Sequence, residues 1–307
     1  MKKPFVSIIV PTMRVGGLDI LFHGLDGQTD QDFELILVDA LYKYRKEFVS
    51  EEISKRNYRI VHVDPVGNPF PINTFCRYAN TGLLMASGEV ALFVTDFTWL
   101  PPNCVRTHAE FHHANDPGQA LMCPHQYVSL PTLSEKFHPY DKPEIAKYVG
   151  DLSSGKLNEV MWSILDRPFD VDARQLPLDP IYQNADPKLR AVAGGIDRNM
   201  FHAKNESCRL SRVLQINGWD EDLDGAHCYQ DSDIADRLCV QAGIYWQIDP
   251  SNVAYIVNPR PIFPFPERLR SVESNYEIWN NKKNAGYPNK INSWNLLETR
   301  LKLFGPE

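Results

Sequence analysis

The chain has 307 residues, 43% of them hydrophobic, 23% charged and 11% aromatic, a globular composition that excludes collagen, coiled coil and wholesale disorder. Its 32 Lys and Arg residues against 39 Asp and Glu leave a net charge of -7, so the molecule as a whole repels nucleic acid and anionic membrane. Six cysteines form no CxxC pair, and MKKPFVSIIVPT has too short an apolar run for a signal peptide, which predicts a reduced, cytoplasmic protein.

Phe5–Val10 is a nearly continuous apolar run closed by Pro11, the pattern of a strand covered on both faces. Leu18, Leu21, Phe22 and Leu25 then recur at helical spacing, and further apolar runs, Phe33–Val38 and Arg59–Val63, end at Asp39 and Asp64. Phe75, Ala79, Gly82, Leu83 and Ala86 make a helical stripe stopped by Gly88, ahead of a fourth run at Val90–Val94. This βαβαβαβ order predicts an open parallel sheet with right-handed crossovers, whose ligands bind beyond the carboxyl ends of the strands. Those ends carry Thr12, Asp39, Asp64 and Asp96.

Beyond Pro101 the pattern predicts a helix over Val105–Asn115 and a strand near Ala120–Cys123. A Pro-rich stretch follows from Pro124 to about Arg190, with one helix around Lys156–Leu165. Asp233–Ala242 reads as a helix with Asp231 or Ser232 as N-cap and Gly243 closing it, followed by strands at Ile244–Ile248 and Val253–Val257. The tail from Pro259 ends in an amphipathic segment carrying Ile291, Trp294, Leu297, Leu301 and Phe304. Packing on the domain is the simpler reading of that face, while Lys282, Lys283, Lys290, Arg300 and Lys302 leave peripheral membrane or oligomer contact open.

Gly150–Leu157 matches a P-loop except that Leu157 lacks the magnesium-binding hydroxyl, and it reads as a surface turn. No GxGxxG occurs, which argues against a dinucleotide oxidoreductase. The carboxylate of Thr95-Asp96-Phe97 stands beside Pro101-Pro102, where it either holds a divalent cation that neutralises a diphosphate or caps the next turn. Six acids, Asp220, Glu221, Asp222, Asp224, Asp231 and Asp233, crowd one short segment. Their repulsion raises pKa values unless cations or donors intervene. A solvated loop and a calcium loop both fit, although the spacing is not that of an EF-hand.

Taken in order, Val6-Ser-Ile-Ile-Val-Pro-Thr12, Arg14, Gln28-Thr29, Phe33–Asp39, Asn80-x-Gly82, Ala86-x-Gly88-Glu89, Asp96 before Pro101-Pro102, Gly194-Gly195, Asn217–Glu221 and Gln230–Ile234 with Arg237 resemble the motifs of family-two inverting glycosyltransferases of GT-A fold. The resemblance runs from about Phe5 to Val257. It implies an α/β, Rossmann-like, mostly parallel sheet flanked by helices: a GT-A domain over 1–258, with a nucleotide-binding half at 1–102 and an acceptor and catalytic half at 103–258, then a C-terminal extension over 259–307. It also implies a nucleotide-sugar donor, usually a uridine diphosphate sugar, and Mn2+ or Mg2+. Pro11, Thr12, Arg14, Asp39, Asn80 and Thr95 would bind the donor, with Asp39 accepting from the base and Asp96 holding the metal. Asp231 would be the catalytic base, while Gly194, Gly195, Trp219, Asp220, Gln230 and Asp233 would shape the sugar and acceptor pocket.

Three positions depart from the family pattern. Thr95 and Phe97 flank Asp96 where a second acid is usual, Gln230 replaces the first acid of the catalytic pair, and no histidine follows His227, Asn258 being the nearest substitute by position. The acceptor hydroxyl belongs to a glycan, a lipid-linked sugar or another molecule, with nucleic acid disfavoured by charge. Two rival readings remain: an inactive protein that binds sugar nucleotide or carbohydrate, and a nucleotidyltransferase that releases pyrophosphate.

Overall fold

The computed structural model describes residues 3–13, 17–67, 75–128, 201–225, 228–257, 265–287, 292 and 294–305. Arg14, Gly194, Gly195, the Gly150–Leu157 turn and the helix expected around Lys156–Leu165 lie outside them.

The first half holds β1 (Val6–Thr12), α1 (Leu18–Asp26), β2 (Phe33–Asp39), α2 (Tyr42–Ser54), β3 (Arg59–Val63), α3 (Phe75–Met85) and β4 (Val90–Phe93), the alternation expected from the sequence. The second half adds β5 (Thr98–Trp99), α4 (Cys104–Ala114), β6 (Gln119–Met122), β7 (His125–Val128), β8 (Glu206–Arg209), α5 (Leu210–Gln215), a 3-10 turn at Glu221–Leu223, α6 (Gln230–Ala242), β9 (Tyr245–Ile248) and β10 (Ala254–Val257). Two helices of the extension follow, α7 (Phe265–Asn284) and α8 (Leu296–Phe304). The main sheet has the order β3-β2-β1-β4-β8-β6-β9, and β5-β10-β7 form a small second sheet. Within the main sheet β8 alone runs antiparallel to its neighbours, β4 and β6.

Alternating side chains of the central strands feed two cores, because successive residues of a strand point to opposite faces. Ile8, Val10, Leu35 and Leu37 pack with Leu18, Phe22 and Val105, whereas Ile9, Ile36 and Val38 pack with Leu83, Trp219, Ile234 and Leu296. On the second face α3 sits so close to β1 that a Cβ at Gly82 would lie 2.5 Å from Ile9 Cγ2, which only glycine avoids.

The strand β8 is absent from the sequence reading because its run, Glu206-Ser-Cys-Arg209, is polar. Its polarity is met from inside the fold: Ser207 Oγ lies 2.7 Å from His108 Nδ1 and 2.9 Å from His112 Nε2, both on α4. Burial pushes the two imidazoles down to about 4 and about 3, so both are neutral.

The extension is stitched to the domain. Leu296 is fully buried, and Arg300 Nη1 donates to the carbonyls of Leu83, Leu84 and Ala86 at 2.9, 2.8 and 2.6 Å, satisfying the end of α3. The packed face of α8 is therefore Leu296 and Arg300, one turn apart, and the expected stripe of Leu297, Leu301 and Phe304 is turned outward and exposed. No helix among the described residues is long and apolar enough to cross a membrane.

Candidate active site at the carboxyl edge of the sheet

Thr12 and Asp39 end β1 and β2 as register partners, and Asp96 follows β4. Thr12 Oγ1 donates to Asp96 Oδ2 at 2.9 Å. Arg45 reaches back from α2, its Nε and Nη2 each 2.7 Å from an Asp39 oxygen and Nη2 3.4 Å from Thr12 Oγ1. Asp39 also takes the Leu41 amide at 2.8 Å and lies 2.8 Å from His62 Nε2. Burial by itself would raise this carboxyl, but the charge of Arg45 and the bonds from His62 and Arg45 outweigh it and bring it down to about 2.

A carboxylate offers about four acceptor directions, and all four of the buried Asp39 are taken by groups of its own chain. With those bonds Asp39 fixes Arg45 and His62 at the strand edge, where the resemblance expects the nucleobase. The His62 ring lies 4.7 Å from that of Tyr42. Pro11 is half-buried at the same edge. Thr95 Oγ1 is spent on Thr98 Oγ1 at 3.1 Å, in the turn to β5. Phe97, with φ 60, is buried against Gly17, where a Cβ would fall 2.4 Å from the ring. The position at which a second acid is usual thus points into the core.

Four residues expected around the sugar and acceptor, and Asn80, expected at the donor, make contacts within the chain. Asn80 clamps the Trp219 segment, donating to Trp219 O at 2.9 Å and accepting from Trp219 N at 2.8 Å. Trp219 is fully buried, edge-on to Phe75 and Phe93. Asp220 pairs with Lys282 at 2.5 Å, and Asp233 pairs with Arg237 Nε at 2.7 Å and Nη2 at 2.6 Å. Gln230 Nε2 donates to Leu223 O at 3.2 Å.

The acidic segment is neither a solvated loop nor a set of unbalanced charges, because donors and cations of the chain itself surround it. Lys282 also takes Asp222 at 2.6 Å, Arg77 takes Glu221 at 3.3 Å, and Asp224 accepts the amides of Cys76 and Arg77 at 2.8 and 3.1 Å. Those last bonds place a carboxylate on the amino end of α3, where the helix dipole favours it.

Asp231 is different. The helix α6 begins three residues earlier than expected, at Gln230, so Asp231 lies in its first turn and Tyr229 takes the cap position. Cys228 and Tyr229 have φ 72 and 68, and two successive left-handed residues with side chains cost about 1 kcal/mol or more each. From α7, Asn275 Nδ2 bonds Cys228 O at 2.8 Å, and Trp279 stacks on Tyr229 at 5.3 Å, which holds the strained turn. The Asp231 side chain makes no hydrogen bond to a described residue, and burial pushes its carboxyl up to about 6 while the charge of Lys204 pulls the other way.

Lys204 belongs to a turn that sequence reasoning missed. The buried Glu206 carboxylate gathers the amides of His202, Lys204 and Asn205 at 3.2, 2.5 and 2.9 Å. Ala203 between them has φ 53. Asn205 Nδ2 then bonds Pro124 O at 3.1 Å and Asn252 O at 2.9 Å, tying the turn to its neighbours. The available signal was the polar run Lys204-Asn205-Glu206-Ser207 upstream of Asn217–Glu221; the sequence reading placed the sugar contact at Gly194-Gly195, outside the described residues.

A divalent ion needs several converging ligands, and a hard cation takes about six oxygens. Asp96 is the carboxylate at the strand end, its Oδ2 already accepts from Thr12, and among the described residues no three His, Cys, Asp or Glu side chains converge to hold an ion. The described residues do not by themselves make the metal site.

No protein-family model and no curated protein matches the sequence. Solved structures do. The chain is similar to S. aureus TarS 1-349 at 14% identity and TM-score 0.52, covering 91% of this chain and 72% of that one. It is similar to S. aureus TarS at 14% identity and TM-score 0.50, over 91% and 43%. GalNAc-T7, solved with UDP, GalNAc and Mn2+, matches at 12% identity and TM-score 0.53, over 98% of this chain and 54% of that one. The chain thus spans about half the length of GalNAc-T7 and less of TarS. At such identity the likeness establishes the fold: this is the GT-A fold of those glycosyltransferases.

Proposed function

We propose that the protein is a glycosyltransferase that moves a sugar from a nucleoside diphosphate sugar to an acceptor hydroxyl, inverting the anomeric configuration. The observation that carries this reading is Asp231, a carboxylate without a hydrogen-bond partner among the described residues and raised to about 6, held on a strained turn of a GT-A fold. A base serves best when its pKa lies near the working pH. The UDP bound to GalNAc-T7 supports uridine diphosphate as the leaving group.

The nucleoside lies at the edge formed by Pro11, Thr12 and the Arg45–Asp39–His62 group, and Arg14, Gly194 and Gly195 keep the donor and sugar roles the resemblance gives them. Asp231 takes the proton of the acceptor hydroxyl as its oxygen attacks the anomeric carbon. The bond from that carbon to the diphosphate oxygen breaks, and the nucleoside diphosphate leaves with the electron pair. The described donor set does not by itself fit a metal. Six cysteines without a CxxC pair fit the cytoplasmic place of action expected from the sequence.

Release of uridine diphosphate from a panel of its sugars, catalysed by the wild-type protein, tests the reading. Donor binding without release would favour the inactive binding protein, and pyrophosphate as product would favour the nucleotidyltransferase.

A further inference from the structure

The donor's diphosphate is strongly anionic, the protein carries a net charge of -7, and the strand-end tripeptide offers Asp96 with no second acid, since Phe97 is turned inward. Among the described residues, counter-charge for the leaving group has to be sought away from that tripeptide. The turn before β8 supplies it. In the antiparallel pairing of β8 with β4, Glu206 stands opposite Phe93. Lys204 therefore lies two residues beyond the last paired position, on the same side of the sheet as Val94–Asp96, in strands spaced about 4.8 Å apart.

The turn is built for a fixed position. Glu206 binds three of its amides, Asn205 is anchored on both sides, and Ala203 is held in a left-handed conformation that a free turn would relax. The Lys204 side chain is half-buried, and its charge is felt by Asp231, Glu206 and His125. The His125 ring lies 5.1 Å from that of His202. An ammonium on a flexible stem is a point-charge binder of phosphate.

We infer that Lys204 is a catalytic residue whose ammonium contacts the donor diphosphate at the carboxyl edge of the sheet and offsets the charge left on it. The inference rests on the donor reading above. As the acceptor oxygen bonds the anomeric carbon and Asp231 takes its proton, the electron pair of the broken bond stays on the diphosphate oxygen, and Lys204 stabilises it without giving up a proton.

The test is calorimetry with uridine diphosphate, inorganic pyrophosphate and uridine on the wild type, Lys204→Met and Lys204→Arg. Lys204→Met should weaken uridine diphosphate and pyrophosphate about tenfold or more, the scale of one lost charged hydrogen bond. Uridine affinity should stay unchanged, and Lys204→Arg should keep most of the diphosphate affinity. Because the turn is held by backbone amides and Glu206, melting temperature should not move; Lys204→Gln repeats the measurement if Met alters it. Wild-type binding of both anions that Lys204→Met and Lys204→Gln leave intact overturns the role of Lys204 and leaves the donor reading standing. A wild type that binds neither anion overturns both.

Discussion

Asp231 and Asp233 stand two positions apart in α6, and the structure separates their work. Asp233 is bound by Arg237 and buried, whereas the Asp231 carboxylate accepts no hydrogen bond from a described residue. Asp233→Asn strips a buried guanidinium of its partner, so urea unfolding should show a loss of about 3 kcal/mol or more. Asp39→Ala should likewise lower stability by about 3–5 kcal/mol, because Arg45 and His62 lose their acceptor. Its folded pKa of about 2 lies below the ordinary 3.8, so the stability it contributes is complete above 3.8 and lost as pH falls through about 2. The sequence placed Asp39 and Asp96 correctly at strand ends. It had no means of showing that Arg45, on the next helix, saturates one of them.

At the scale of elements, the strands β1, β2 and β4 and helix α3 were legible because apolar runs and stripes encode burial locally. The strand β8 and the start of α6 were not, since each depends on side chains distant in sequence: His108 and His112 for Ser207, and Asn275 with Trp279 for the Cys228–Tyr229 turn. The histidine pair predicts an acid-sensitive fold. Both imidazoles are depressed in the folded state, so their contribution is complete above pH about 6.5 and is lost as pH falls through about 4 and about 3. Each adds a slope approaching 1.4 kcal/mol per pH unit in that window. A His108→Gln, His112→Gln double variant should flatten the fall when unfolding is followed by denaturant titration across it.

Over the whole molecule, the C-terminal helices work as a strap. From α7 come Lys282 on Asp220 and Asp222 and Asn275 under the α6 turn, and from α8 comes Arg300 on the end of α3. Arg300→Met leaves three carbonyls without their donor and should cost about 1–3 kcal/mol by chemical denaturation. The sequence showed an amphipathic tail but reversed its faces, because Leu297, Leu301 and Phe304 repeat at helical spacing as clearly as Leu296 and Arg300 do. Strap and sheet together hold the turn that carries Asp231, the base of the proposed transfer. The most direct test of that arrangement is the pH profile of kcat/KM for uridine diphosphate release by wild type and Asp231→Asn. With Asp231 as the base, the wild-type rate should rise through about pH 6 to a plateau, and the Asp231→Asn rate should be lower by at least ~10²-fold with that rise abolished and the melting temperature unchanged. An Asp231→Asn protein with wild-type turnover and the same rise would contradict it.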